Sequence, residues 1–332
     1  TNVTSDKTND PYKVGEIIDI KVVFSEVVTV TGTPTLTLDT GGTGTAALHH
    51  SGNNQNTLVF RYTVGANQNS NDLDYKANNS LALAGGTIVS QSSGNSANLT
   101  LAEPGAANSL GANKAIIIDT TNPTISNTTI SHTHKEGDTP GSFLTINASD
   151  TGSGIASYSL TGTDALHFQI TNTNQVSLTA DKDYENPDDA NTNGVYEFTV
   201  NVTDNAGNVQ TQNHTLTLVD KDEIAPTVTG VSSDTADGTT KIIGDIIAIK
   251  VTFNEAVTVT GTPQLTLATG GAGTAVDYAS GSGSAVLTFN YTVAAGQSSS
   301  DLDYTGTDAL ALNSGTIKDA EGNNATRTLA SP

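Results

Sequence analysis

Val14-Gly-Glu-Ile-Ile-Asp-Ile-Lys-Val-Val-Phe24 recurs as Ile243-Gly-Asp-Ile-Ile-Ala-Ile-Lys-Val-Thr-Phe253, an offset of 229 residues that carries Gly15 onto Gly244. Within it Ile18, Ile20, Val22 and Phe24 alternate with Asp19, Lys21 and Val23. That period of two puts one row of side chains on each face of a β-strand. Moving outward, the same offset maps Val30-Thr-Gly-Thr-Pro34 onto Val259-Thr-Gly-Thr-Pro263, and Asp72-Leu-Asp-Tyr75 onto Asp301-Leu-Asp-Tyr304. It also maps Gly86-Thr-Ile88 onto Gly315-Thr-Ile317. A register held this far is an internal repeat. Leu58, Phe60, Tyr62 and Val64 alternate again, as do Leu287, Phe289, Tyr291 and Val293. Such runs, bounded by Gly, Asn, Ser and Asp, predict an antiparallel β-sandwich in each copy.

The segment between the copies does not align with them, yet Tyr196, Phe198, Val200 and Val202 show the same alternation. The expected fold is therefore all-β: three tandem Greek-key sandwiches of immunoglobulin/cadherin type at 1–118, 119–222 and 223–332. The two outer copies resemble the SWM-type (swimming-motility) repeat. The residues that carry this are the Phe-x-Glu-x-Val-x-Val-Thr-Gly-Thr-Pro segment, the Asp-Leu-Asp-Tyr segment and the Gly-Thr-Ile segment. The middle segment resembles a bacterial cadherin-like domain. Asp183-Tyr-Glu185 stands where that family carries Asp-Arg-Glu, Asp204-Asn-Ala206 where it carries Asp-x-Ala, and Asp220-Lys-Asp-Glu223 where it carries its Asp- and Asn-rich linker. The family's Asp-x-Asp is reduced here to Asp150-Thr-Gly152, and the linker lacks the asparagines. The resemblances imply a segment of a giant bacterial surface adhesin or motility-associated protein, with calcium at the domain junctions.

Composition agrees with an extracellular spacer. There are 34 Asp+Glu against 13 Lys+Arg, a net charge of −21, and no basic stripe, which argues against nucleic-acid partners. With neither Met nor Cys in the chain, a piece of a longer protein is expected, built on cores large enough to need no disulfide. No apolar run reaches the roughly 20 residues of a membrane helix, so membrane insertion is not expected.

The acids fall at strand ends, and the strand alternation of a Greek-key sandwich sorts them into two junctions. At the second, Glu136 and Asp138 precede one strand of the middle domain and Asp183 and Glu185 another, converging on Asp220 and Asp222, with Glu255 and Asp319 facing them from the next copy. At the first, Glu16, Asp72 and Asp74 meet Asp119 and Asn122 of the linker, with Asp150 and Asp204 from the middle domain. Crowded carboxylates repel unless a hard divalent cation joins them, and calcium's 6–8 oxygens in flexible geometry suit loops better than magnesium's octahedron. An acid at a strand end also caps turns by accepting local N–H groups, so each residue alone reads as a turn former more often than as a ligand, and it is the shared positions that favour ligands. One internal check is available: Asp319-Ala-Glu-Gly-Asn323 carries an acid where the first copy has Ser90.

His132 and His134 share a strand face but have no third ligand, and His214 is in phase with Leu216. No Ser-His-Asp or Cys-His set is present, and Asp301 and Asp303 lack an aromatic cleft, so no enzyme is expected. The alternative to a calcium-stiffened extender is a module binding a glycan, a protein or another copy of itself through the middle domain. The absence of Trp weighs against sugar stacking. As an isolated fragment the chain is expected to be monomeric.

Overall fold

The computed structural model describes all residues, Thr1–Pro332. The chain is a set of tandem β-sandwiches and divides into two compact units, Thr1–Asp220 and Lys221–Pro332. No helix is long and apolar enough to cross a membrane.

In the first unit the opening repeat is organised by one long strand, Ile17–Thr31. Its first half pairs antiparallel with Gln55–Thr63, and its register then shifts between Val23 and Val28. The second half pairs instead with Thr87–Ser90. A bulged strand that changes partner belongs to both layers and turns a sheet into a sandwich. Ile18, Ile20, Val22, Leu58 and Phe60 are fully buried between the layers, as the period of two predicts. Asn2–Ser5, Thr45–Ser51, Thr35–Leu38 and Leu81–Ala82 complete the sheet. The buried Tyr62 hydroxyl donates to Gln68 (2.7 Å), whose amide donates to Thr45 (2.7 Å), so burial leaves no orphaned phenol.

The second unit repeats this plan strand for strand, with Ile246–Thr260 as the long strand joined by Ser284–Thr292 and Thr316–Lys318. Even the polar bracket is duplicated, Tyr291 to Gln297 (2.8 Å) to Thr274 (2.6 Å).

The first unit also contains the middle sandwich. Its larger sheet orders Ser131–Lys135, Val209–Val219, Val195–Asp204 and Ile155–Thr161, the first pair parallel. Ser142–Thr145, Gln175–Leu178 and Phe168–Thr171 form the facing sheet. Tyr196, Phe198, Val200, Val202, Leu216 and Leu218 fill the space between, a core separate from that of the opening repeat. Alternation along Val195–Asp204 ends on Asp204, so the last inward position of an apolar strand carries a buried carboxylate.

Candidate metal centres

Three groups of carboxylates each place one oxygen per residue within 4.8 Å of one another. In the first unit Asp119, Asp150 and Asp204 form one group. Asp119 lies in the linker after Ile117–Ile118, Asp150 follows Ala148–Ser149, and Asp204 ends Val195–Asp204. Asp119 and Asp204 are each only 1% exposed. The Asp119 carboxylate accepts from Thr121 N (3.0 Å) and Ser153 N (2.7 Å). Asp150 accepts from Gly152 N (3.0 Å) and Gly154 N (2.7 Å).

Asp204 opens the turn Asp204-Asn-Ala-Gly-Asn208. One of its oxygens accepts Asn208 N and the other the Asn208 side-chain amide, both at 2.8 Å. That amide also donates to the Asp119 carbonyl (3.0 Å), fastening the turn to the linker. Asp150-Thr-Gly152 has no room for a side chain at its third position beside Asp119: a Cβ at Gly152 would lie 2.4 Å from the Asp119 Cγ. The Asp119 carboxylate fills the space that a third loop side chain would need. The opening repeat reaches the same place, with Lys13 Nζ donating to Gly207 O (2.9 Å) and Asn69 accepting from Thr120 N (2.8 Å).

The second unit carries Asp222, Glu255 and Asp319 as another group. Its Asp-x-x-Gly-Asn turn repeats the clamp of the first. In Asp319-Ala-Glu-Gly-Asn323 one carboxylate oxygen accepts Gly322 N (2.7 Å) and Asn323 N (2.8 Å), and the other the Asn323 side-chain amide (2.8 Å). That amide donates in turn to the Asp222 carbonyl (2.6 Å). Burial alone would raise the Asp319 pKa, but these hydrogen bonds outweigh it and hold the carboxyl below its usual value. Glu255 does not fall at a strand end, where the sequence places the acids. It lies within Ile246–Thr260, where that strand changes sheets and its alternation lapses.

The first copy shows what this position becomes with one acid fewer. Glu26, the counterpart of Glu255, accepts from Ser90 Oγ (2.6 Å) and Ser92 Oγ (3.2 Å), so a hydroxyl supplies the proton that the carboxylate needs. With Asp319 in the place of Ser90, two carboxylates face each other and neither can donate.

Glu136, Glu185 and Asp220 come together at the other end of the middle sandwich. Glu136 Oε1 accepts from Tyr184 N (3.1 Å), while Oε2 is buried with no hydrogen-bond partner. An acceptor in that condition is costly unless a cation or a proton meets it. All three groups offer only oxygen, the donor set of a hard cation such as calcium.

Glu16, Asp72, Asp74, Asp138 and Asp183 are not drawn into these groups. Glu16 accepts from Lys13 N (2.7 Å), and Asp183 from Asn186 N (2.9 Å), both as turn formers. Asp138 N closes a turn on Lys135 O, and Asn122 is exposed in the linker. Asp74 is buried, and its carboxylate accepts from Tyr75 N, Gly105 N and Leu110 N. Beside it, burial first and the Asp74 charge second raise the Asp72 pKa. Residue-by-residue reading did not single out Asn208 and Asn323; the signal was the shared Asp-x-x-Gly-Asn spacing of the two turns. The histidines pair without a third ligand: His132 Nε2 lies 3.2 Å from His214 Nδ1, and His134 Nε2 lies 2.9 Å from Asp181.

Among solved structures the chain is similar to cadherin ectodomains. It is 17% identical to protocadherin gamma B2 extracellular domains 3–6 over 52% of this chain and 38% of that one, with a TM-score of 0.26. It is 17% identical to human protocadherin-24 EC1–2 over 60% of this chain and 92% of that one, TM-score 0.34. It is 14% identical to human CDH23 EC21–23 over 91% and 95%, TM-score 0.29. No protein-family profile and no curated protein matches the chain.

Proposed function

We propose that the chain is a non-catalytic, extending segment of a large extracellular bacterial surface protein, adhesive or motility-associated. It comprises sandwiches at 1–118, 119–222 and 223–332, stiffened by calcium bound to its three carboxylate groups. The observation that carries this reading is the duplicated clamp. Twice, an Asp-x-x-Gly-Asn turn gathers a carboxylate and ties it through the Asn amide to the carbonyl of a linker Asp (Asn208 to Asp119, Asn323 to Asp222). A turn former needs one carboxylate; these turns bring in two more. The orphaned Glu136 oxygen supports the third group in the same way.

In this reading a cation at Asp119, Asp150 and Asp204 joins the linker to two loops of the middle sandwich and so limits swivelling about residues 119–124. Asp220 and Asp222 stand one residue apart in sequence, so cations at their groups order the chain on both sides of Lys221. Binding to the folded state alone raises stability in proportion to the logarithm of calcium concentration. The test is a calorimetric calcium titration of the whole chain, with the melting temperature followed in parallel. Saturable binding that raises the melting temperature is expected. No binding heat, and identical melting in calcium and in chelator, would overturn the proposal.

A further inference from the structure

Two dipeptides in this chain have the chemistry for succinimide closure: Asn193-Gly194, its one Asn-Gly, and Asp237-Gly238, its one Asp-Gly. In each, the glycine nitrogen can attack the carbonyl carbon of the preceding side chain, because glycine has no Cβ to hinder the approach and lets the backbone turn freely. In an unconstrained chain at neutral pH Asn-Gly closes the faster, since an ionised carboxylate is a poorer electrophile than an amide.

The fold treats the two oppositely. Asn193 lies in the tight bend before Val195–Asp204, and Asp189, only 3% exposed, grips that bend. One Asp189 oxygen accepts Gly194 N (3.0 Å) and the other accepts Asn193 N (3.1 Å). Gly194 O accepts Leu218 N (2.9 Å), and the Asn193 side-chain oxygen accepts Val195 N (2.8 Å). The attacking nitrogen and the amide it would attack are thus each held by a hydrogen bond, so closure at 193 requires the bend to open first.

Asp237-Gly238 lies between Val228–Ser233 and Ile246–Thr260, outside any strand. Both residues are exposed, and a Cβ on Gly238 would meet nothing within 4 Å. One backbone bond, Thr239 N to Ala236 O (3.2 Å), spans the turn and leaves Gly238 N unbonded.

We infer that Asp237 is a site of spontaneous isoaspartate formation, and that Asp189 bars the same chemistry at Asn193. At 237 a bond forms between Gly238 N and Asp237 Cγ, and one carboxyl oxygen leaves as water with the acid proton and the amide proton. Water then opens the imide. Attack at Cγ restores aspartate; attack at the α-carbonyl carbon leaves isoaspartate, with the main chain running through Cβ and Cγ. The water lost in closure is regained on opening, and no oxidant or cofactor enters. This inference is independent of calcium.

The test incubates the full chain for weeks at neutral pH, folded and in denaturant, and maps its peptides by electron-transfer fragmentation, which separates isoaspartate from aspartate. In the folded chain, isoaspartate at 237 is expected in severalfold excess over conversion at 193. In denaturant the order should invert, with 193 the faster. Asp189→Ala, followed below its melting temperature, should raise conversion at 193 severalfold and leave 237 unchanged, while Gly238→Ala should slow 237 severalfold. Folded chain that converts 193 as fast as 237, or forms no isoaspartate at 237, would overturn the inference. So would an order that denaturant leaves unchanged, since the fold would then guard neither site.

Discussion

At the scale of single residues, position 319 and its counterpart 90 decide what the end of a repeat can hold. Ser90 shows that the repeat folds with a hydroxyl there, bonded to Glu26. Asp319→Ser should therefore leave the second unit folded while weakening calcium at the Asp222 group by at least about tenfold, since losing even a supporting group typically costs 10–100-fold. A calorimetric titration that returns unchanged affinity would remove Asp319 from the ligand set. His214 makes a prediction of a different kind. It is 3% exposed between Phe198 and His132, and burial first, then His132, pushes its pKa down to about 4. The unfolded chain takes up this proton near pH 6.5, whereas the folded chain resists until about pH 4. Stability from this group is thus intact above pH 6.5 and declines as pH falls through that window. Burial lowers the His132 pKa as well, so the pair acts in one direction. Thermal melts between pH 6.5 and 5, above most carboxylate titrations, should show the decline, and His214→Gln should flatten it.

At the scale of elements, the partner-changing strand is what turns alternation into a sandwich. Past its bulge Ile17–Thr31 pairs with Thr87–Ser90, which brings Gly86 close to its second half. A Cβ on Gly86 would lie 2.1 Å from Thr31 O, and one on Gly315 would lie 2.3 Å from Thr260 O. Gly86→Ala should destabilise the first repeat by about 1–3 kcal/mol through overpacking. Denaturant unfolding checks this; a change below about 0.5 kcal/mol would mean that the strand pair yields to the methyl at little cost. Gly-Thr-Ile thus has a steric role in both copies, independent of any ligand.

At the scale of the whole molecule, acidity bears on the proposed cation binding. A net charge of −21 favours solubility but makes every gathered carboxylate more costly to bring in. Removing calcium should therefore lower the melting temperature and change the solution-scattering profile of the chain; identical profiles in calcium and chelator would contradict stiffening at the linkers. Much of this was legible in the sequence. Strand identity, the repeat and the buried rows followed from alternation, because a period of two is a local property that burial converts directly into layers. Membership of the acid groups was less so. Asp183 and Asp74 look like ligands on the chain, yet neither is gathered into a group of three carboxylates, whereas Asp119 and Asp204, which also accept N–H groups, are brought together across 85 residues of chain. Local hydrogen bonding and long-range convergence use the same residue types at the same strand ends, and only the fold separates them. The opening stretch Val14–Phe24 determined by itself that this chain is built of strands and repeated. Tertiary structure alone decided that Gly152 must yield its space to Asp119 and that Glu255 stands inside a strand. Each of these depends on which atoms meet across the fold, which no period along the chain encodes.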